Sequence, residues 1–334
     1  MNISAPPPSK NPVLTGHDEA VQQVTSAFAS GRMPHAWLIT GMEGIGKATL
    51  AWHMAHHALS RGENPIGRLD LSHATARLVA GRAHPDLFVL DRPLDEKTGR
   101  PKDTIPAEEA RKLSSFLHMT STYGGWRVAI IDGAHALNRF GQNAILKAVE
   151  EPPPRCLILL TATSAGVLVP TIRSRCRVLK LRPLDGGVMK SILARCGPDL
   201  PPEQMERLIM LSGGSAGLAL RIAETGALPL YEELEEILDS MPKADMVKVH
   251  AFAERFGRKA ESEIFEVMAY LLTERLRRKV LELAGTNNVS SLFRAMSIWD
   301  SARLGFAMAV ESSLDKKLAF VNVMNEIRRQ SAAA

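Results

Sequence analysis

The chain has 334 residues, 45% of them hydrophobic and 23% charged, which is ordinary for a globular protein and predicts two or three domains with a sizeable core. A formal net charge of +5 permits contact with nucleic acid but does not require it. The three cysteines are far apart, which disfavours a disulfide framework and a zinc site and predicts reduced thiols in a cytoplasmic protein. No apolar run approaches the length of a membrane span, which disfavours a membrane protein.

The N-terminal part of the chain is expected to lead from a loose segment into a first helix and a first strand. Residues 1–13 are polar and proline-rich, which predicts a flexible tail rather than a signal peptide. A helix is expected over about residues 14–30, ended by Gly31 and Pro34. The apolar run 36–39 then predicts a buried strand.

A glycine-rich stretch, residues 41–49, follows that strand directly. Gly41, Gly44 and Gly46 allow backbone N–H groups to turn around a phosphate, and the helix that begins beside them adds a positive dipole end. Lys47 is placed to reach the outer phosphates. The order of strand, glycine turn and helix predicts a phosphate-binding loop, and the alternative is a glycine-rich turn with a chance lysine.

The sequence argues against a complete metal site. The full phosphate-loop motif has Ser or Thr directly after the lysine to ligate Mg²⁺, whereas this chain has Ala48 there. Thr49 comes one residue later, a rotation of about 100° on a helix of roughly 3.6 residues per turn, and should not point at the metal, although it is kept among the candidate nucleotide contacts. Further along, His53, His56 and His57 share a helix without other ligands nearby, so a solvated helix face is favoured over a metal site.

A carboxylate at the end of a strand is the second candidate element. Residues 127–131 predict a buried strand that ends in Asp132, which could stand beside the phosphate loop and hold the water shell of Mg²⁺. In an active ATPase of this type the next residue is a glutamate that orients the attacking water, but here it is Gly133. Another strand is predicted over 156–161, and Thr163 just past its end joins the candidate nucleotide contacts.

The alternation of helices and buried strands continues to about residue 183 and predicts a parallel α/β sheet. Beyond that point only helices are expected. Five basic residues shortly before the change belong either to a solvated surface or to a contact with phosphate on a neighbour or on nucleic acid; they are Arg173, Arg175, Arg177, Lys180 and Arg182.

Three stretches resemble the clamp-loader branch of the AAA+ ATPases. They are residues 35–41 (HAWLITG), 143–153 (NAILKAVEEPP) and 168–176 (LVPTIRSRC), which ends in a Ser-Arg-Cys motif. Each is only suggestive, but all three in this order are highly specific. The resemblance covers residues 14–225 by motif and implies a P-loop nucleotide-binding domain over 14–183, a small helical lid over 184–226 and an oligomerising all-helical collar over 227–334.

Within that family the departures from the motifs match the non-motor subunits of the bacterial DNA polymerase III clamp loader. Gly217 stands where active relatives usually carry an arginine that touches the nucleotide, in addition to the changes at Ala48 and Gly133. The motor subunits also usually carry four zinc-binding cysteines ahead of the acid-ended strand, whereas this chain has no cysteine before Cys156. The resemblance therefore implies little or no ATPase activity and at most weak binding of ATP or ADP.

The resemblance also implies a role for the intact Ser-Arg-Cys motif. In the family its arginine, here Arg175, reaches into the ATP site of a neighbouring subunit. The implied partners are the motor subunits gamma or tau, the delta subunit and, through the complex, a sliding clamp and primed DNA. The chain would then belong to a DNA-directed DNA polymerase, a nucleotidyltransferase, without a polymerase site of its own.

Three alternatives stay open. The chain could be an active ATPase of the same fold, such as a motor subunit, which a hydrolysis assay would reveal. A free-standing P-loop kinase is disfavoured by the Ser-Arg-Cys motif and the helical tail. Arg175 could instead pair with a carboxylate of its own domain.

Overall fold

The computed structural model describes residues 5–95, 102–256, 262–286, 288–311 and 315–332. The chain divides into two compact units, of which the first contains residues 1–199 and 212–220 and the second contains residues 200–211 and 221–334. None of the described helices is long and apolar enough to cross a membrane.

The first unit is built on a sheet of five parallel strands, as the sequence predicted. In chain order these are β1 (Ala36–Thr40), β2 (Leu87–Leu90), β3 (Arg127–Ile131), β4 (Cys156–Ala162) and β5 (Arg177–Lys180), and their spatial order is β2-β3-β4-β1-β5. The three central strands are buried along their whole length, because helices cover both faces of a parallel sheet. Their sequences are therefore continuous apolar runs without alternation.

Helices pack around this sheet. They are α1 (Asp18–Ala29), α2 (Lys47–Leu59), α3 (Ala74–Ala80), α4 (Ala107–His118), α5 (Arg139–Glu150), α6 (Pro170–Arg173) and α7 (Gly186–Cys196). Farther along the chain, α8 (Pro202–Ser212) belongs almost wholly to the second unit and α9 (Ala216–Glu224) is divided between the two units. The start of α5 has a defined cause, since the Asn138 side chain accepts a hydrogen bond from the Gly141 N–H. Between α2 and α3 the chain runs through turns over residues 60–73.

The topology places the candidate residues at one edge of the sheet. β4 lies between β1 and β3, and all strands run in the same direction. The phosphate loop follows β1, Asp132 follows β3 and Thr163 follows β4. Their side chains therefore meet at the carboxyl edge, where open parallel sheets bind ligands.

The N-terminal segment is packed, so the expectation of a loose tail is wrong for residues 8–13; residues 1–4 lie outside the described part. Residues Pro8–Lys10 form a short 3₁₀ helix. His53 Nε2 lies 2.9 Å from the Asn11 carbonyl oxygen, and His56 Nε2 lies 3.1 Å from that of Ser9. The expected solvated face of α2 is wrong for the same reason, because His53 and His56 are each 1% exposed beneath this segment.

The second unit is all helical in its described residues. Its main helices are α10 (Ala227–Asp239), α11 (Met246–Ala253), α12 (Ser262–Ala284), α13 (Val289–Glu311) and α14 (Lys316–Ala332). Five phenylalanines interlock at its centre with ring centroids 5.0 to 6.1 Å apart; they are Phe252, Phe256, Phe265, Phe306 and Phe320. The two units do not separate residues 184–226 as a lid, since these residues are shared between them, and the three-domain division stays a prediction.

Candidate nucleotide site and arginine segment

The predicted phosphate loop lies between β1 and α2 and borders a cleft of about 660 Å³. Gly44 and Gly46 adopt φ values of 72° and 110°, a conformation that strongly favours glycine, and Gly46 precedes the first turn of α2. The structure brings together most of the predicted site residues around this cleft, namely Gly44, Gly46, Lys47, Thr49, Asp132 and Thr163. Gly41 does not border the cleft, and its carbonyl oxygen accepts a hydrogen bond from Lys47.

The Lys47 ammonium group is turned back onto its own loop. Its Nζ donates to the carbonyl oxygens of Gly41 at 2.8 Å and Met42 at 2.7 Å. Burial lowers the pKa of Lys47, and the charges of Glu43 and Asp132 oppose that shift. The group that would hold phosphate is therefore bonded to the loop itself.

Residues just ahead of and inside α9 close the loop from the other side. The Gly217 N–H donates to the Gly44 carbonyl oxygen at 2.8 Å, and Ser215 Oγ donates to that of Glu43 at 2.7 Å. A Cβ at Gly217 would lie only 2.7 Å from the Gly44 Cα. The position where active relatives usually carry an arginine thus serves here as a backbone contact to the phosphate loop.

Asp132 is held by a threonine that the sequence analysis missed. Thr161 Oγ1 donates to Asp132 Oδ1 at 2.6 Å and accepts from the Gly133 N–H at 2.8 Å. Thr161 is 1% exposed, whereas Thr163, which was predicted, is exposed at the cleft. A polar residue within an otherwise apolar strand is the signal that could have singled out Thr161, whereas its partner Asp132 follows only from the order of the strands.

Other cleft residues also escaped the sequence analysis. Arg92, His135 and Arg195 border the cleft, and so do residues 5–8 of the N-terminal segment. Burial lowers the pKa of His135, and the positive charges of Arg92 and Lys47 add to that shift. His17 supports the loop from behind, with Nε2 2.8 Å from the Ile45 carbonyl oxygen.

The start of α2 gives the cleft groups that could hold an anion. The first N–H groups of α2 have no partner within the helix, and they face the glycine turn that shapes an anion cradle. Ala48 borders the cleft at the position of the missing hydroxyl. Among the described residues no group of His, Cys, Asp or Glu side chains has the arrangement of a metal site.

Arg175 lies away from this cleft, just after α6. Its Nη2 lies 3.1 Å from Glu150 Oε1 and its Nη1 donates to the Thr171 carbonyl oxygen at 3.1 Å, while 42% of its side chain is exposed. In the single chain Arg175 thus pairs with Glu150, a carboxylate of its own domain, which is the pairing that the alternative interpretation of Arg175 predicted. Beside it, burial raises the pKa of the Cys176 thiol to about 11, so this cysteine is an inert packing residue at neutral pH.

The basic run continues from Arg175 along the edge strand β5. The side chains of Arg173, Arg177, Lys180 and Arg182 are all exposed. Charged side chains on an edge strand also discourage pairing with other strands. The structure therefore agrees with a solvated surface and leaves the contact with a partner phosphate untested.

Comparison with known proteins gives one family. The family model described as "DNA polymerase III, delta subunit" matches residues 16–185, about half of the chain. The DNA polymerase III subunit delta' of Pseudomonas aeruginosa is 36% identical over 66% of this chain, and that of Escherichia coli is 27% identical over 67%. Both matches span 65% of the relative, just under two thirds of its length.

A subunit of a different name also matches. The DNA polymerase III subunit gamma of Buchnera aphidicola is 28% identical over 63% of this chain and 56% of its own length. The sheet, the phosphate loop and the C-terminal helices agree with the AAA+ type of fold that the motifs implied. The chain therefore belongs to the DNA polymerase III delta subunit family, and its resemblance to delta-prime subunits of the bacterial clamp loader is confirmed.

Proposed function

We propose that this chain is a non-motor, delta-prime-type subunit of a DNA polymerase III clamp loader. In this role it helps to place a sliding clamp on primed DNA, and it lends Arg175 to the ATP site of a neighbouring subunit. Its partners would be motor subunits of the gamma or tau type and a delta subunit. The observation that carries this proposal is the contrast between a phosphate loop bonded within the chain and an intact Ser-Arg-Cys motif whose arginine is exposed.

The state of the chain's own nucleotide cleft supports a role without ATP hydrolysis. Three groups that an active site uses are replaced, by Ala48, Gly133 and Gly217. The backbone φ at Gly133 is 75°, so a glutamate introduced at this position would have a strained backbone conformation. ATP or ADP would at most bind weakly, through the N–H groups at the start of α2 and through Lys47 once it leaves the loop carbonyls.

The surroundings of Arg175 support a role across an interface. Its ion pair with Glu150 is exposed on both sides, and such pairs contribute only about 0–1 kcal/mol to stability. Exchanging Glu150 for the phosphates of a neighbour therefore costs little. An arginine also keeps its charge at any working pH and presents a planar fork that matches phosphate oxygens.

An apolar face on α13 supports assembly through the helical second unit. Four exposed residues recur at helical spacing along one side of this helix, namely Val289, Phe293, Met296 and Leu304, which are 40% to 66% exposed. The apolar stripe runs from Val289 to Met296 and is interrupted by the exposed Asp300 before Leu304, and exposed apolar clusters of this kind are typical of interaction surfaces. We therefore retain residues 227–334 as the proposed collar and residues 184–226 as the proposed lid.

Reconstitution tests the function. Purified chain is mixed with gamma or tau, delta, a sliding clamp and primed DNA, and both DNA-stimulated ATP hydrolysis and clamp loading are measured. Omitting the chain should abolish loading, and restoring it should recover both signals. A complex that loads clamps equally well without the chain would contradict the proposal, whereas ATP turnover by the isolated chain would favour an active ATPase.

A further inference from the structure

A second cleft opens at the amino edge of the sheet, the edge away from Lys47. β3 and β4 begin there, directly after Trp126 and Arg155, and α1 and α2 end there. Its volume is about 750 Å³, and all its lining residues belong to the first unit. Neither the phosphate loop nor Arg175 contributes to it, so the proposed function does not use it.

Three aromatic rings form the wall of this aromatic cleft. They are Phe28, His57 and Trp126, all half-buried. Phe28 meets His57 edge to face at a centroid distance of 4.7 Å and Trp126 at 6.1 Å. Because the rings are steeply inclined to each other, a flat ring would stack on one of them while the edge-to-face contacts support that ring.

Two arginines flank the aromatic wall and are held by one turn. Arg61 donates to the Tyr123 carbonyl oxygen, and Arg155 donates to the Gly124 carbonyl oxygen at 3.0 Å. Neither guanidinium has a carboxylate partner among the residues that the structure describes, and each keeps further N–H donors. The turn thus positions two uncompensated positive charges at the rim.

The backbone at both arginines is unusual. Arg61 has φ of 55° and Arg155 has φ of 58°, in the left-handed region that side chains other than glycine seldom adopt. Such conformations cost free energy and persist when the surrounding structure enforces them. Here they direct both side chains toward the same turn and the same cleft.

We propose that the aromatic cleft binds a single-stranded segment of nucleic acid, with a base stacked on the aromatic wall and backbone phosphates paired with Arg61 and Arg155. Aromatic rings combined with arginines are the usual chemistry of single-strand binding, because every base has a π face and every linkage carries a charge. An acidic peptide would use the arginines but would leave the aromatic wall without a matching partner. This proposal does not depend on clamp loading by the chain.

The test uses the full chain and a fluorescein-labelled oligothymidylate of about 15 nucleotides. Binding is followed by anisotropy and by quenching of tryptophan fluorescence. Trp37 and Trp52 are buried and Trp299 belongs to the second unit, so Trp126 is the expected reporter in the first unit. Replacing both cleft arginines, as Arg61→Gln with Arg155→Gln, should weaken binding at least ten-fold.

Two controls distinguish binding at the aromatic cleft from nonspecific electrostatic attraction between the basic chain and DNA. The pair Arg68→Gln with Arg111→Gln removes the same charge from exposed positions outside the cleft and should weaken binding less than three-fold. Trp126→Phe keeps an aromatic ring, so it should retain affinity while losing the quenching. Three results would each overturn the proposal. The first is an equal loss of affinity in both arginine pairs, and the second is quenching of tryptophan fluorescence that survives Trp126→Phe. The third is competition by polyglutamate that is as effective as competition by unlabelled DNA.

Discussion

The phosphate loop and the Ser-Arg-Cys segment lie in the same unit but are in opposite states. The loop is closed by its own lysine and by Ser215 and Gly217, so four of its carbonyl oxygens, those of residues 41–44, accept hydrogen bonds from within the chain. Arg175 is exposed and restrained by one weak surface ion pair. Under the proposed function, the difference means that the chain has lost the chemistry of its own site while Arg175 remains free to serve the site of a neighbour.

The largest effect expected from this contrast follows removal of Arg175. Arg175→Ala should leave the chain folded and able to assemble, because a surface ion pair contributes only about 0–1 kcal/mol. DNA-stimulated ATPase and clamp loading by the complex should fall, since an arginine finger can be worth about 10³ to 10⁵ at a single site, with a smaller effect over several sites. The steady-state ATPase rate and the clamp-loading rate of the assembled complex measure this decrease.

Two further variants sharpen that result. Arg175→Lys should rescue poorly, because lysine keeps the charge but not the planar fork. Glu150→Gln removes the intramolecular partner and should leave the complex active. If the alanine variant assembles and loads clamps at the normal rate, Arg175 has only its structural pairing with Glu150.

The second prediction concerns the imidazole that ties the N-terminal segment to α2. Burial lowers the pKa of His56 to about 4, and the neighbouring His53 adds to this shift. Its Nδ1 has no hydrogen-bond partner in the described part of the chain, so protonation would bury an unpaired charge. Between pH 6.5 and 4 the unfolded chain takes up this proton and the folded chain does not, so stability decreases as the pH falls.

The expected loss is on the order of 3 kcal/mol over that range. Urea unfolding of the chain at pH 7.5 and at pH 5 measures the part of this loss that falls above pH 5, about 2 kcal/mol. His56→Gln should reduce the difference between the two pH values, whereas His118→Gln, at an exposed position on α4, should not. An unchanged pH dependence in His56→Gln would show that other groups cause it.

The third prediction compares two threonines of the candidate site. Thr161→Val removes the donor to Asp132 while keeping the shape of the side chain, and hydrogen bonds to charged groups contribute about 1.5–3 kcal/mol. Thr163→Val changes an exposed side chain and should alter the free energy of unfolding by no more than about 0.5 kcal/mol. Equal effects in the two variants would mean that the bond to Asp132 does not stabilise the fold.

The smallest expected effect is at Lys47. In an active ATPase the phosphate-loop lysine is indispensable, but here hydrolysis should already be at background. Lys47→Ala should therefore leave the ATP turnover of the isolated chain unchanged in a sensitive phosphate-release assay. Robust turnover that disappears in this variant would break the comparison and make the chain an active ATPase.

The sequence was sufficient for features that depend on local patterns. Strands over Ala36–Thr40 and Arg127–Ile131 follow from apolar runs, and Lys47 and Asp132 follow from their positions at the ends of those strands. The bond from Thr161 to Asp132 depends on two strands becoming neighbours, which no local pattern specifies.

The burial of the α2 histidines is a second feature that local sequence patterns could not predict. Their spacing resembles that of a solvated helix face, and only the packed N-terminal segment makes His53 and His56 buried donors to backbone carbonyls. The closure of the phosphate loop by Gly217 likewise joins residues that lie far apart in sequence. Contacts of this kind arise from tertiary packing and therefore need the structure.

The close approach of Gly44 and Gly217 has a consequence for protein engineering. A side chain at Gly217 would overlap the Gly44 backbone, and one at Gly44 would lie 2.5 Å from Ser215 Oγ. An arginine at position 217 thus cannot simply be added to recover nucleotide contacts, because the loop must first separate from the start of α9. Recovery of an arginine contact at position 217 is therefore a cooperative change, and Gly217→Arg tested alone would be harmful.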